Sequence, residues 1–97
     1  MVKYYFTNKA VEDLSEIWDY TIETWSEKQA EKYYELLLAT CSNLATNPKL
    51  GKNYEVVTKG ILGYKCGEHI IFYTVISTDE IEVIRVLHGM MNLKSKL

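Results

Sequence analysis

Apolar residues in the first half of the chain recur at the spacing of an α-helix. One stripe repeats every three or four positions: Ala10, Leu14, Ile17, Trp18, Ile22 and Trp25. A second stripe follows it: Ala30, Tyr33, Tyr34, Leu37, Cys41, Leu44 and Ala45. Asn8 is the predicted N-cap of the first helix, because its side-chain oxygen can accept a bond from a first-turn amide. Ser26-Glu-Lys-Gln29 has the form of a capping box and predicts a second helix from Glu27, which ends before Asn47-Pro48. The pattern predicts an αα-hairpin.

Short β-favouring segments lie on both sides of this hairpin. The first covers Val2–Phe6; after a polar connector at 49–60, three more follow, roughly Ile61–Cys66, His69–Ser77 and Glu80–His88. Very short turns between the last three imply an antiparallel meander. The order β-α-α-β-β-β predicts an α+β fold, an antiparallel sheet packed against an N-terminal helical hairpin. With 97 residues, we expect a single domain spanning 1–97.

Composition narrows the class of protein. The apolar fraction of 47% and the charged fraction of 25% are those of an ordinary globular chain. The longest apolar run, at 70–76, is far shorter than the ~20 residues that a membrane helix needs, and no apolar segment after Lys3 resembles a secretory signal. Two cysteines and two histidines show no metal-binding spacing. We therefore expect a cytoplasmic protein with no metal, no cofactor and no membrane contact.

Charge is divided unevenly between the two halves. Residues 8–46 hold eight acids against three lysines, whereas residues 47–97 hold seven bases against five acids. An acidic helical half repels a polyanion, and backbone-directed nucleic-acid binding needs clustered Lys and Arg. We expect no direct nucleic-acid binding by the chain alone, although a small basic patch on the second half stays compatible with the sequence.

The last predicted strand carries the most informative polar residues. Arg85 is the only arginine in the chain, and strict alternation places it on the strand face of Ile81, Val83 and Leu87, opposite Ile84, Val86 and His88. Two interpretations of Arg85 stay open: a salt bridge to an acid of the hairpin, or a partner-binding group. His88 has either a structural, hydrogen-bonding role or an acid–base role. No motif places a Ser or Cys nucleophile beside His88, and no glycine-rich phosphate loop is present.

The residues after this strand are the other candidates for contact. Met90 and Met91 follow Gly89 at the strand's end, and either cover the sheet or form an adaptable apolar contact surface. Asn92, Lys94 and Lys96 complete the tail.

The chain resembles the RelE/ParE superfamily of small bacterial toxins, and the ParE branch most. The matching residues span nearly the whole sequence: Lys9-Ala10, Asp13-Leu14, Ile17, Tyr20, Trp25, Ala30, Asn47-Pro48-Lys49-Leu50-Gly51, Ile71-Phe72-Tyr73, and Ile81 through Gly89. The resemblance implies a β-α-α-β-β-β toxin of a type II toxin–antitoxin system. It implies inhibition of DNA gyrase by binding, with no catalysis, and neutralisation by a ParD-like antitoxin in a hetero-oligomer.

The alternative that the same superfamily offers is a RelE-like, ribosome-dependent messenger RNA endoribonuclease. RelE-like nucleases tend to have an arginine just after the strand-ending glycine and a tyrosine in the tail, whereas Met90-Met91-Asn92 follows Gly89 here and the last tyrosine is Tyr73. Without those cations, cleavage loses its main source of transition-state stabilisation. The chain departs from ParE too, which commonly has a basic residue and then an acid at this point. A weakened toxin that only binds antitoxin is therefore a third alternative.

The expected target- or partner-binding residues lie at the end of the last strand and beyond it. Arg85 is expected to fix the strand or grip a partner, and His88 with Gly89 to set the exit of the tail. The recognition tail is expected to include Met90, Met91, Asn92, Lys94 and Lys96. No residue is expected to be catalytic.

Overall fold

The computed structural model describes residues 2–54 and 59–89, and these contain two helices and five strands. Strand β1 covers Lys3–Phe6, and helices α1 (Asn8–Thr24) and α2 (Glu27–Thr46) follow. A 3₁₀ turn at Pro48–Leu50 leads to β2 (Lys52–Asn53), and the chain then forms β3 (Leu62–Cys66), β4 (His69–Ser77) and β5 (Glu80–His88). Every predicted element is therefore present within one residue of its expected bounds, and one short strand is added.

Capping side chains set the start of each helix. Thr7, and not Asn8, caps α1, because its hydroxyl accepts the amide hydrogen of Ala10 at 3.1 Å. Ser26 caps α2 as predicted, accepting the amide of Gln29 at 3.0 Å, and α2 stops before Asn47. Neither helix is both long and apolar enough to cross a membrane, within the residues described.

The strands form one sheet in the order β1-β5-β4-β3-β2. The β3-β4-β5 meander is antiparallel, as predicted. The sheet is nevertheless mixed, because β1 pairs in parallel with β5, from Lys3 opposite Glu80 to Phe6 opposite Val83. Such pairing needs a long crossover, which the helical hairpin supplies. The short β2, inside the predicted connector, pairs with Leu62 and Gly63 of β3. The expected α+β class is confirmed.

Both helices pack on one face of the sheet. The main core combines residues of both helices with sheet residues: Ala10, Leu14, Ile17, Leu37, Cys41, Leu44, Ala45, Cys66, Ile71, Tyr73, Ile81, Val83 and Val86. A second, smaller cluster consists of Ile61, Phe72 and Leu87, with Tyr54, Ile70 and Ile84 packed against it. The sheet thus separates two apolar layers of unequal size.

The buried face of α1 differs from the predicted stripe in its last turns. Thr21 is buried there, and its hydroxyl donates to the carbonyl of Ile17 at 2.7 Å. Ile22 and Trp25 are instead 37% and 72% exposed. Positions 10, 14, 17 and 21 keep the helical period, whereas the hydrophobic side chains at 22 and 25 fall off that line. The prediction for these two residues was wrong.

An irregularity in β5 also overturns strict alternation along that strand. Tyr73 pairs with Val83 and Phe72 with Arg85, so Ile84 is an extra residue in the ladder. A β-bulge of this kind shifts the side chains beyond it to the opposite face. Val86 therefore joins the helix-facing core and Leu87 the other cluster, the reverse of the prediction.

Candidate functional site

The C-terminal half of β5 forms an edge that α1 closes. Strand β1 pairs with β5 only as far as Val83, and beyond that point Asp13 of α1 takes the place of a strand. The amide of Val86 donates to Oδ2 of Asp13 at 3.0 Å. The hydroxyl of Thr7 donates to the carbonyl of Ile84 at 2.9 Å. Helix α1 is therefore fixed to the bulged part of β5 by polar contacts.

Arg85 forms a bidentate ion pair with the same carboxylate. Nε donates to Oδ2 of Asp13 and Nη2 to Oδ1, both at 2.8 Å. The Arg85 and Asp13 side chains are 18% and 7% exposed, so the pair is largely shielded from water. The hydrogen bonds to Asp13 raise the pKa of the Arg85 guanidinium further above its usual range. Of the two interpretations of Arg85, the structure shows the salt bridge to an acid of the hairpin.

A tyrosine of α2 organises the turn between β3 and β4. The hydroxyl of Tyr33 accepts the amide hydrogen of Glu68 at 3.0 Å and lies 3.2 Å from the carbonyl of Cys66, so it spans the turn. Gly67 at the centre has φ +59°, and a Cβ there would lie 2.6 Å from the Tyr33 ring. Only glycine fits this position, for both reasons.

Two histidines extend this cluster to the end of β5. His69 pairs with His88 across the ladder, and their ring centroids are 5.5 Å apart. Nδ1 of His69 lies 2.6 Å from the hydroxyl of Tyr33. Burial lowers the pKa of His69 below its ordinary value, and the nearby His88 adds to this effect. Burial raises the pKa of Tyr33. His69 is thus neutral at pH 7 and its partner is a protonated phenol.

Gly89 closes the ladder just beyond His88. Its amide donates to the carbonyl of Glu68 at 3.1 Å, so the residue just after β5 is bonded to the turn that Tyr33 contacts. His88 and Gly89 therefore meet in one cluster, with His69, Glu68 and Tyr33. The other predicted contact residues, Met90, Met91, Asn92, Lys94 and Lys96, lie outside the described residues.

A groove of about 550 Å³ runs between the outer surfaces of the two helices. Its walls are largely apolar, and Trp18 and Tyr34 meet in it edge to face with centroids 5.8 Å apart. Carboxylates stand along it as well; the lining residues are Phe6, Val11, Leu14, Ser15, Trp18, Asp19, Glu31, Tyr34 and Glu35. Its chemistry suits a segment with one apolar and one basic face.

Sequence reasoning missed three kinds of residue here. Asp13 is absent from the predicted apolar stripe, although it stands three residues after Ala10 and four before Ile17 on the same helical face. Tyr33 entered the prediction only as a member of the second apolar stripe, and His69 had no predicted role. Nothing in the sequence marked the residues that line the groove, because the helical pattern of one segment does not show which of its exposed positions will lie beside another helix.

Comparisons with known proteins place these features in a family. The model described as ParE toxin of type II toxin–antitoxin system, parDE, matches residues 4–93. Toxin ParE1 of Mycobacterium tuberculosis is 34% identical over 95 residues, which cover 98% of this chain and 97% of that protein. Toxin ParE1 of Caulobacter vibrioides is 35% identical over 97 residues, which cover 100% and 99%.

A solved structure gives the same fold. A chain described as belonging to the chromosomal ParDE TA system from P. aeruginosa superposes with a TM-score of 0.76. The match covers 91% of this chain and 96% of that chain, at 19% identity. The arrangement of helices and sheet is therefore shared with that protein.

Proposed function

This chain belongs to the ParE toxin family of type II toxin–antitoxin systems, and we propose on that basis that it inhibits DNA gyrase by binding. A cognate, ParD-like antitoxin neutralises it in a hetero-oligomeric complex. The observation that carries the proposal is the family match over residues 4–93, which runs through both helices and all five strands. The expected recognition tail, 90–97, begins inside the matched range, which extends to residue 93.

The state of Arg85 supports an action by binding and not by catalysis. Cleavage of RNA needs a cation beside the phosphate to stabilise the charge that develops there. Asp13 engages Nε and Nη2 of the chain's only arginine and neutralises its charge. Burial raises the pKa of Tyr33, so at neutral pH its phenol stays protonated and little phenolate is present to act as a base. The ribonuclease alternative therefore has little support at this site.

The gyrase proposal is tested by inducing the toxin and following two processes in the same culture. We expect plasmid supercoiling to fall and gyrase-linked DNA breaks to accumulate, while transcripts stay intact in the first minutes. Purified gyrase should lose supercoiling activity when the toxin is added. Rapid transcript cleavage with normal supercoiling would instead establish the ribonuclease, and induction with no growth arrest would favour a chain that only binds antitoxin.

The groove between the helices supports the proposal of an antitoxin partner. Its apolar walls suit the buried face of an amphipathic segment, and the carboxylates of Asp19, Glu31 and Glu35 attract basic residues on that segment's polar face. None of the residues that line the groove belongs to the cluster at Gly89.

Charge reversal at the groove tests this placement. The double variant Glu31→Lys/Glu35→Lys should weaken binding of the antitoxin encoded beside the toxin gene by about tenfold or more at low salt, mostly through slower association, because both carboxylates are exposed. Growth inhibition by the toxin alone should persist. Glu23→Lys is the matched control, an exposed carboxylate of α1 that does not line the groove. Equal affinity of the double variant and the control in a calorimetric titration would place the antitoxin elsewhere.

A further inference from the structure

The Tyr33 cluster connects helix α2 to the end of β5 by an unbroken series of hydrogen bonds. The hydroxyl of Tyr33 accepts from the amide of Glu68, and the carbonyl of Glu68 accepts from the amide of Gly89. Both groups flank the same α-carbon. Only φ and ψ of Glu68 lie between them, so fixing the amide limits the directions in which the carbonyl can point.

The turn joins Cys66 to His69, which pair across the β3–β4 ladder, and Tyr33 adds contacts to the two residues between them. Gly67 has no side chain, and its positive φ lies in a region that glycine enters and leaves at low cost. The Tyr33 ring packs against Gly67, and its hydroxyl spans the turn from Cys66 to Glu68. Tyr33 thus restricts the backbone conformation of a turn in which glycine itself imposes little restriction.

The hydroxyl of Tyr33 can form its hydrogen bonds with either tautomer of His69. If His69 carries its hydrogen on Nε2, Tyr33 donates to Nδ1; if the hydrogen is on Nδ1, His69 donates to Tyr33 and Tyr33 donates to the carbonyl of Cys66. In both arrangements the oxygen keeps a lone pair for the amide of Glu68. The bond that matters for Gly89 is therefore independent of the histidine's tautomer.

We propose that Tyr33 is a positioning residue for target recognition: its hydroxyl fixes the Gly67–Glu68 turn, and through it the position of Gly89, the residue that precedes segment 90–97 in the sequence. The inference rests on the proposed function, because it assigns recognition to that segment. Tyr33 acts through Glu68 and needs no contact with the target.

The test compares Tyr33→Phe with Tyr64→Phe, a conservative change at another partly buried tyrosine that packs against the main core. Hydrogen exchange followed by NMR on the isolated protein is the first measurement. Removing the hydroxyl leaves the Glu68 amide without its acceptor, which should lower protection of the Glu68 and Gly89 amides by about tenfold. Tyr64→Phe should leave both unchanged. Unaltered protection of Gly89 in Tyr33→Phe would overturn the proposal.

Function is the second measurement, and it separates a positioning role from a merely structural one. Tyr33→Phe should inhibit purified gyrase about tenfold less well, while its affinity for the antitoxin stays that of the parent chain. An equal loss of both would mean that Tyr33 only supports the fold, and would overturn the proposal. If the parent chain itself fails to inhibit gyrase, the proposed function fails, while the exchange result still decides whether Tyr33 holds Gly89.

A measurement on the unaltered protein covers the case in which Tyr33→Phe does not fold. One opening of the turn releases both bonds, so the Glu68 and Gly89 amides should exchange with matching protection and with the same dependence on denaturant. Fast exchange at Gly89 beside a protected Glu68 would show that the two are uncoupled and would contradict the proposal.

Discussion

At the scale of single residues, two side chains, those of Asp13 and Tyr33, decide the geometry of the candidate site. Asp13 accepts hydrogen bonds from the Arg85 guanidinium and from the amide of Val86, so one carboxylate closes the edge of β5. Tyr33 does the same for the turn beside His69. Each is a polar group in a largely apolar setting, where an unpaired partner is costly.

Asp13→Ala should lower the free energy of unfolding by about 3 kcal/mol, because it leaves Arg85 without its counter-ion and the Val86 amide without an acceptor. Urea unfolding measures the change. Asp19→Ala, an exposed acid of the same helix, is the control and should cost under about 0.5 kcal/mol. Comparable losses in the two variants would contradict a structural role for the pair.

Stability should fall as the pH is lowered below about 6.5, because the unfolded chain protonates His69 near its ordinary pKa of 6.5 while the folded chain resists it. Burial and His88 lower the folded pKa, and Glu68 and Asp13 only partly oppose them; the phenol of Tyr33 faces the ring as well. Urea midpoints at pH 7.5 and 5.5 measure the loss, which should be smaller in His69→Asn. A variant with the full pH dependence would show that another group is responsible.

At the scale of secondary structure, polar caps connect elements that are distant in sequence. Thr7 caps α1 through the amide of Ala10 and also bonds Ile84 at the bulge of β5, so the start of the helix and the irregular strand are held together. Tyr73 has a comparable role at the other end, where its hydroxyl donates to Pro48 and accepts from Gly51. These contacts join the helices to the sheet at defined positions.

Thr7→Ala should cost about 1–2 kcal/mol, because it removes the cap of α1 and the bond to Ile84 together. Thr7→Ser keeps the hydroxyl and should cost much less. Thermal and urea unfolding of the two variants measure the difference. If serine and alanine were equally destabilising, the lost methyl group and not the hydroxyl would explain the effect.

At the scale of the whole molecule, the groove and the cluster at Gly89 consist of different residues. Carboxylates line the groove between α1 and α2, whereas Gly89 follows His88, which pairs with His69. Within the described residues, every buried polar side-chain atom has a hydrogen-bond partner.

A chain that ends at Gly89 should keep its circular dichroism spectrum and its affinity for the antitoxin, yet lose growth inhibition. The groove residues all precede position 36, which is why antitoxin binding should persist. A full-length chain with 90–97 in scrambled order separates the sequence of the tail from its length. Full toxicity of the truncated chain would show that recognition lies within 1–89.

The amino-acid sequence by itself determined the elements, because their signals are local. The cap at Ser26, the stop at Pro48 and the short turns around Gly67 and Asp79 act within a few residues, and the predicted bounds agree with the structure. The last-strand pattern ending in His88-Gly89 likewise identified the family. For Arg85 the sequence left two interpretations open, a salt bridge to an acid of the hairpin or a partner-binding group.

Only the tertiary structure decided which acid pairs with Arg85, which face of the sheet each residue after the bulge occupies, and which strands are neighbours. Asp13 and Arg85 are 72 positions apart, the bulge at Ile84 reverses Val86 and Leu87, and β1 joins β5 in parallel across the whole chain. Such choices depend on the summed burial and hydrogen bonding of distant segments, which no local pattern contains. The contact of Tyr33 with the turn that holds Gly89 belongs to this second kind, since packing of α2 on the sheet creates it.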